Sequence, residues 1–431
     1  MSENNVAVVD KDADYKGDVL VPIQWKSPIA YGALTVLAAA IFVPFAGAGS
    51  ITNFSFSQAG DLIEIPNVAI PSQPALIAIA VVLAGLCALS LKFALDRKKA
   101  PILVPLAFGL LFVTALLIFV LAGNPATLPV TSLLSGALFL STPLVFGSMT
   151  GLICERVGII NIAIEGQLLA GAFLAAVVGS VAANPYAGLL AAPLAGALFG
   201  LVLAVFAIRY FVDQIIVGTI LNVFILGLTN YLYSTVLTQN QGLNFPPPLP
   251  TYEIPILGQI PVLGPVLFKQ NVVVYIMYAL VIVLQILIFK SRWGLRLRAC
   301  GEHPEAADTV GIKVNRTRFR NTILGGAVAG LGGAFYTVAA GLSFNQNMTS
   351  GQGFIALAVM IMGKWTPKNA IFAALVFGFA NNLQITLTAM QISIVPAQFM
   401  LMLPYLVTIV AVAGVIGTVR APAQEGVPYK N

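Results

Sequence analysis

The sequence predicts an all-α, polytopic transmembrane helical bundle of ten to twelve spans, and three observations carry that expectation. Of 431 residues, 58% are apolar and 9% charged, where a soluble globular protein carries about 25% charged residues; mean hydropathy is +0.93. Ten apolar stretches approach the ~20 residues that a helix needs to cross a ~30 Å hydrocarbon core. Backbone groups in lipid have to be satisfied within their own element, and runs this much longer than barrel strands leave only helices. An ordinary soluble enzyme and a disordered chain are thereby excluded. The 39 Gly and 26 Pro agree, because membrane helices use both more freely than soluble ones.

The stretches are 29–47, 74–95, 101–122, 129–151, 186–208, 214–236, 272–289, 322–342, 369–388 and 396–419. An eleventh, 157–180, is apolar but contains Asn161 and Glu165, and a twelfth, 353–363, is short enough to be a half-helix or re-entrant piece. Ala46-Gly47-Ala48 resembles a signal cleavage site. However, 28 residues carrying Asp10, Asp12, Asp14 and Asp18 precede the first run, which also exceeds the about 7–15 residues of a signal h-region. A retained first helix is expected.

With the N-terminus inside and alternating spans, the outer segments are 48–73, 123–128, 181–185, 237–271, 343–352 and 389–395. They contain one of the 22 Lys and Arg, Lys269. That is the positive-inside pattern, so the net charge of +6 reports topology and contact with anionic lipid rather than nucleic-acid binding. A multi-pass protein of a bacterial plasma membrane is expected, with both termini cytoplasmic. The outer segment 237–271 contains Pro246, Pro247, Pro248, Pro250, Pro255, Pro261 and Pro265, which forbid a regular helix; it reads as an outer cap or a docking surface for an external protein.

The large inner loop, 290–321, holds eight basic and three acidic residues. Pro304 suits the first helical position, Glu305 the positive end of the dipole, Ala306 and Ala307 the interior and Gly311 the stop. This predicts a two-turn helix over 304–310. A helix so short is unstable alone, so its own loop or a groove on a partner has to hold it; a solvated basic loop is the plain alternative.

A second signal is the polar island 151–171, GLICERVGIINIAIEGQLLAG. Ionisable groups at membrane depth are costly and need partners or water. Glu155 and Arg156 read as end-of-helix residues at the inner surface. Asn161 and Glu165, four apart, would share a helix face; with Gln167 they form either a structural network or a wall of a translocation path. Further in-membrane amides are Asn222, Asn230, Asn381, Asn382 and Gln384, and nearby aromatics include Phe335, Tyr336 and Phe344. Gly147/Gly151, Gly196/Gly200 and Gly326/Gly330 are GxxxG pairs suited to close helix packing.

Residues 294–314, GLRLRACGEHPEAADTVGIKV, resemble the coupling-helix loop of ABC-transporter permeases for nucleosides and simple sugars. Pro304, Glu305, Ala306, Ala307, Gly311 and Ile312 match, while His303 stands where that family usually has Asn. The run Glu155, Arg156, Gly158, Asn161, Ile162, Glu165 and Gly166 follows the same family's pattern without departure. A Gly-rich stretch at 325–342 and 353–370 also matches, the latter with Gly363, Trp365 and Pro367 among bulkier neighbours. The resemblance covers about 150–390.

That resemblance implies an ABC importer permease fold: a cytoplasmic tail at 1–28, additional N-terminal transmembrane helices at 29–125, a permease core at 126–419 with the coupling loop at 290–321, and a cytoplasmic tail at 420–431. It implies ATPase-coupling residues Arg296, Arg298, Glu302, Pro304, Glu305, Ala306, Ala307 and Gly311. It also implies a substrate path at Asn161, Glu165, Gln167, Asn222, Asn381, Asn382 and Phe344. The partners implied are a cytoplasmic ABC ATPase carrying ATP and Mg, a second and non-identical permease, an extracytoplasmic substrate-binding protein and membrane lipid. Nucleosides are the expected cargo, with ribose-type sugars or branched-chain amino acids as alternatives. A stand-alone secondary transporter or channel, or a membrane-embedded enzyme, are readings of other classes; the first would need ion-coupling carboxylates, for which Glu165 is almost the sole candidate. No phosphate-binding loop, HExxH, CxxC or GxSxG occurs. One histidine and three scattered cysteines (Cys87, Cys154, Cys300) match no metal site. Neither a catalytic residue, a metal ligand nor a cofactor is expected on this chain.

Overall fold

The computed structural model describes residues 25–58, 60–98, 100–101, 103–390, 402 and 421–430. In chain order its helices are α1 Lys26–Phe45, α2 Ser72–Leu95, α3 Leu103–Leu121, α4 Val130–Glu155, α5 Ile164–Val181, α6 Pro185–Arg209, α7 Gln214–Leu237, α8 Val272–Lys290, α9 Arg292–Glu302, α10 Pro304–Thr309, α11 Val314–Ala339, α12 Gln352–Met362 and α13 Pro367–Ala389. All but α9, α10 and α12 are long and apolar enough to cross a membrane, giving ten such helices among the described residues. Nine of the ten stretches expected from hydropathy are among them, and so is the 157–180 segment. The remaining stretch, 396–419, lies outside the described residues.

The chain forms two compact units, residues 1–52 with 70–125 and residues 53–69 with 126–431. In the first, α1 and α3 pack through aromatic stacking. Tyr31 lies on Phe108 at 4.2 Å and Phe42 on Phe119 at 4.8 Å between ring centroids. Leu103, Leu106 and Leu110 stay exposed, the outward apolar surface of helices made to stand in lipid.

In the second unit α4 is the axis: every residue from Ser141 to Glu155 is buried. Helices in lipid gain little from the hydrophobic effect and associate by close packing, and the glycine pairs show how. A Cβ on Gly196 of α6 would strike the Gly326 carbonyl oxygen of α11, and one on Gly330 would strike the Ala192 carbonyl oxygen. The two backbones therefore touch directly. Gly147 and Gly151 of α4 make room for side chains of α12 instead, with Ala356 Cβ and Met360 Sδ against them. Short strands occur at the segment ends: β1 Ile51–Ser55, β2 Val68–Pro71, β3 Leu128–Pro129, and a hairpin of β4 Thr251–Glu253 with β5 Lys269–Asn271. In that hairpin Glu253 opposes Lys269 and pairs with it at 3.4 Å. The proline-rich 237–271 segment is thus irregular chain closed by a two-stranded ribbon.

Two breaks in the helices position the polar residues. The chain between α4 and α5 (156–163) is not helical, so the expectation that Asn161 and Glu165 share a helix face is corrected. Gly158, at φ +91°, turns the chain, and side chains of α7 take up backbone groups that a helix would pair internally. The Gln214 carboxamide accepts from Ile160 N–H at 2.7 Å, and Asn222 donates to the Ile162 carbonyl at 2.9 Å while accepting from Gly166 N–H at 2.8 Å. Gln214 opens α7 and Asn222 lies eight residues on, about 12 Å at 1.5 Å per residue, so this loop rises along α7 to membrane depth. The second break, 340–351, leads from α11 to the eleven-residue half-helix α12. Irregular backbone at such depth is tolerated only where protein satisfies it.

Candidate functional site

The two breaks meet at Glu165. Its Oε1 accepts from Thr349 Oγ1 at 2.6 Å and from Gly351 N–H at 2.8 Å, and its Oε2 accepts from Gly353 N–H at 2.6 Å. Gly351 is the N-cap of α12, in the left-handed region at φ 82°, and Glu165 itself lies in the first turn of α5. One carboxylate therefore faces the positive ends of two helix dipoles, where negative charge is stabilised. Gly353 is required by proximity, since a Cβ there would lie 2.5 Å from the Glu165 backbone. Tyr336 of α11 donates to Gln352 at 2.9 Å and steadies the same junction.

Beside it, Asn161 donates to Gln167 Oε1 at 3.0 Å, and both side chains are fully buried. Asn161 Oδ1 and Gln167 Nε2 have no hydrogen-bond partner among the described residues. An unpaired buried polar group is expensive, so this acceptor and donor, with Gln214 Nε2 and Asn230 Oδ1 also unpaired among the described residues, are candidates for contact with a polar guest. The other residues expected to line a path are placed differently. Asn222 holds the first break, as described. Asn382 donates to the Leu133 carbonyl at 2.7 Å, fastening α13 to α4, and Asn381 beside it is half-buried. Phe344 is buried, edge-on to Phe173 at 5.1 Å, with its backbone clamped by Asn244, which accepts from Phe344 N–H at 2.7 Å and donates to its carbonyl at 2.9 Å. Glu165, Asn161, Gln167 and Asn222 are thus brought together, while Asn381, Asn382 and Phe344 belong to other parts of the bundle.

At the basic end of the second unit, α10 runs over Pro304–Thr309, with Gly311 at φ 83°. Gly311 N–H reaches the Asp308 carbonyl at 2.8 Å and Ile312 N–H the Ala307 carbonyl at 3.0 Å, the paired closure of a Schellman motif. Pro304 and Ala307 are buried while Glu305, Ala306, Asp308 and Thr309 are exposed, so the short helix is seated on the protein and presents a face with two acidic residues outward. Ahead of it, α9 starts at Ser291, whose Oγ accepts from Gly294 N–H at 3.1 Å. Sequence reading left this helix in the loop, although Ser291 directly after an apolar span was a usable cap signal. Arg296 is exposed on α9. Arg298 instead lies over the Phe289 ring at 5.5 Å, with Arg156 over the same ring at 5.7 Å.

Segment 421–430 forms a strap across this region. Gln424 N–H donates to the Gly301 carbonyl at 2.9 Å, Gly426 N–H to the Gly158 carbonyl at 3.1 Å and Ala423 N–H to Glu302 Oε2 at 3.3 Å. The hub is Arg318, 1% exposed. Its guanidinium donates to the carbonyls of Val157 at 3.1 Å, Val427 at 2.8 Å and Cys300 at 3.3 Å. It thus joins the first helix break, the strap and the end of α9. Glu155, expected as an ordinary end-of-helix residue, is buried and accepts from Trp365 Nε1 at 2.6 Å, while Arg156 donates twice to the Trp365 carbonyl at 3.1 and 2.8 Å. Arg318, Thr349 and the strap carried no sequence signal strong enough to single them out, and Trp365 was noticed only within the family match, not as a partner of Glu155 and Arg156.

Glu425 of the strap hydrogen-bonds Glu155, and burial pushes its carboxyl above the usual carboxylate range, the Glu155 bond opposing that shift. A carboxyl raised in the bound state stabilises attachment in acid and loses that contribution as pH rises through the raised value. The strap is therefore expected to be better protected from proteolysis and hydrogen exchange at pH 5 than at pH 8. Glu425→Gln should flatten that dependence; a wild-type profile with no pH dependence would refute the shared-proton contact.

The chain matches the family described as branched-chain amino acid transport system / permease component over residues 133–412. It is 40% identical over 297 residues, 67% of this chain and 93% of the relative, to a protein of Bacillus subtilis named guanosine ABC transporter permease protein NupQ. It is 36% identical to the nucleoside ABC transporter permease protein NupC of Lactococcus lactis, over 69% of this chain and 96% of the relative. To the putative glucose ABC transporter permease protein TsgC13 of Haloferax volcanii it is 30% identical, over 61% and 80%. No solved structure matches it. The bundle and its two broken spans define a multi-pass membrane transport protein. The chain belongs to this family of ABC-transporter permeases.

Proposed function

We propose that this chain is the membrane-spanning subunit of an ATP-driven importer of nucleosides, with the α9–α10 face in the cytoplasm. The α10 rod carries the reading: a helix closed at its C-terminus, seated by Pro304 and Ala307, with Glu305, Ala306 and Thr309 free to enter a groove on an ATPase. ATP hydrolysis belongs to that separate chain, and this one contributes a path whose two packings the partners bias. Nucleoside cargo is supported by relatives named for guanosine and for nucleosides over more than nine-tenths of their own length. The chain is also similar to a second permease from each of those organisms, NupP at 28% and NupB at 32% identity. That favours pairing with a paralogue rather than with itself. A substrate-binding protein would deliver cargo to the outer face, where 237–271 lies, and Asn161 with Gln167 would offer a donor and an acceptor to a nucleobase edge once the path opens. The relative named for glucose keeps a simple sugar as the second reading.

Glu305→Lys combined with Ala306→Trp is expected to lower uptake of labelled guanosine at least tenfold and to reduce co-purification of the ATPase subunit, with the permease still in the membrane. Unchanged uptake and co-purification would defeat the coupling role. Competition by unlabelled guanosine, glucose, ribose and leucine decides the cargo.

A further inference from the structure

Beside α10 lies a groove of about 560 Å³ between α9 and the start of α11. Arg292 and Arg296, one turn apart on α9, face Lys313, Arg316 and Arg320 across it. No carboxylate lines this groove, Asp308 lying in an adjoining recess that shares Lys313 and Arg316, and none of these five cations has an ion-pair partner among the described residues. Five like charges converging without compensation repel one another, so the arrangement is favourable only with anionic charge between them. Arg316 and Arg320 are shared with a second groove of about 630 Å³, whose other walls include Phe211, Phe319 and Ile323. This groove follows α11 away from the loop and into the span. The basic one lies between the C-terminal end of α8 at Lys290 and the start of α11 at Val314, the ends of two helices long and apolar enough to cross a membrane.

We propose that the paired grooves bind one anionic phospholipid, its phosphate among the five cations and an acyl chain along Phe319 and Ile323. Cationic pockets between helices on a cytoplasmic face attract acidic headgroups. The apolar continuation toward the bilayer favours a lipid over an acidic loop of the ATPase, because a protein carboxylate has no use for that second wall. The exposed face of α10 remains available for the ATPase. A lipid here would brace α9 against α11 and so fix the platform on which α10 rests.

The inference rests on the cytoplasmic placement proposed above, and its test reads lipid binding, with guanosine uptake beside it only to separate the two readings. The purified full-length chain in its complex is titrated with short-chain phosphatidylglycerol, with phosphatidylcholine of equal chain length and with inorganic phosphate. Phosphatidylglycerol is expected to bind and phosphatidylcholine not. At about fivefold per surface cation, Arg316→Gln with Arg320→Gln should weaken phosphatidylglycerol about 25-fold, and Arg292→Gln on the opposite wall about fivefold. All are exposed positions at which an unchanged melting temperature is expected. Phe319→Ser should weaken phosphatidylglycerol while leaving inorganic phosphate unaffected. Equal binding of the two lipids would overturn the proposal. So would inorganic phosphate binding as tightly as phosphatidylglycerol, or arginine variants that keep phosphatidylglycerol affinity but lose the ATPase subunit. Loss of lipid selectivity alongside intact guanosine uptake would sink this inference and leave the permease reading standing.

Discussion

Glu165→Ala is expected to remove about 5 kcal/mol of stability and with it nearly all transport. The Thr349 hydroxyl and the Gly351 and Gly353 N–H groups all donate to this carboxylate, and each donor left unpaired in a buried site costs roughly 1–3 kcal/mol. The start of α12 also loses its countercharge. Glu165→Gln keeps one acceptor oxygen but turns an NH₂ group toward donors, so an intermediate loss is expected, with guanosine uptake down about tenfold. Glu165→Asp, one methylene short, should resemble the glutamine variant. Melting of the detergent-solubilised chain, read beside uptake at matched membrane abundance, separates stability from transport. A Glu165→Ala protein that melts like wild type would contradict the bridging role.

Gly330→Leu is expected to prevent formation of the folded bundle. The residue lies against the Ala192 carbonyl and the Gly196 backbone. Main chain on both sides cannot step aside as a flexible side chain can, so the cost should be about 3 kcal/mol or more. Gly227 of α7 makes the control, because a Cβ there meets nothing within 4 Å. Gly227→Leu should insert, purify, melt and take up guanosine as wild type. Comparable damage from both substitutions would mean that helix propensity, not backbone contact, dominates at these positions.

Much of this was legible in the sequence where a single local rule decides. Length and hydropathy located the spans because a bilayer imposes one scale on every helix. Pro304, Glu305 and Gly311 announced α10, since each satisfies a requirement of a helix end within a few residues. The glycine pairs foretold close packing, though not that α6 and α11 are the partners. Asn161 and Glu165 were drawn to notice by their cost in lipid, but their geometry was not readable. A four-residue spacing means a shared face only inside a helix, and the chain is kept from being helical there by Gln214 and Asn222, more than fifty residues away. Arg318 was hidden for the same reason. Among eight basic residues in one loop, nothing local distinguishes the one that is buried against three carbonyls. The roles that escaped are those fixed by partners distant in sequence.

The paired closure of α10 at Gly311 has a mechanical consequence. A two-turn helix that frayed under load would behave as a spring, shortening by unwinding and dissipating a push within itself. With the Asp308 and Ala307 carbonyls already engaged, and Pro304 at the other end owning no N–H to satisfy, little slack remains. On the coupling role proposed above, displacement applied to its exposed face would be handed on through the buried Pro304 and Ala307 toward the strap and the Arg318 junction at the foot of the broken spans.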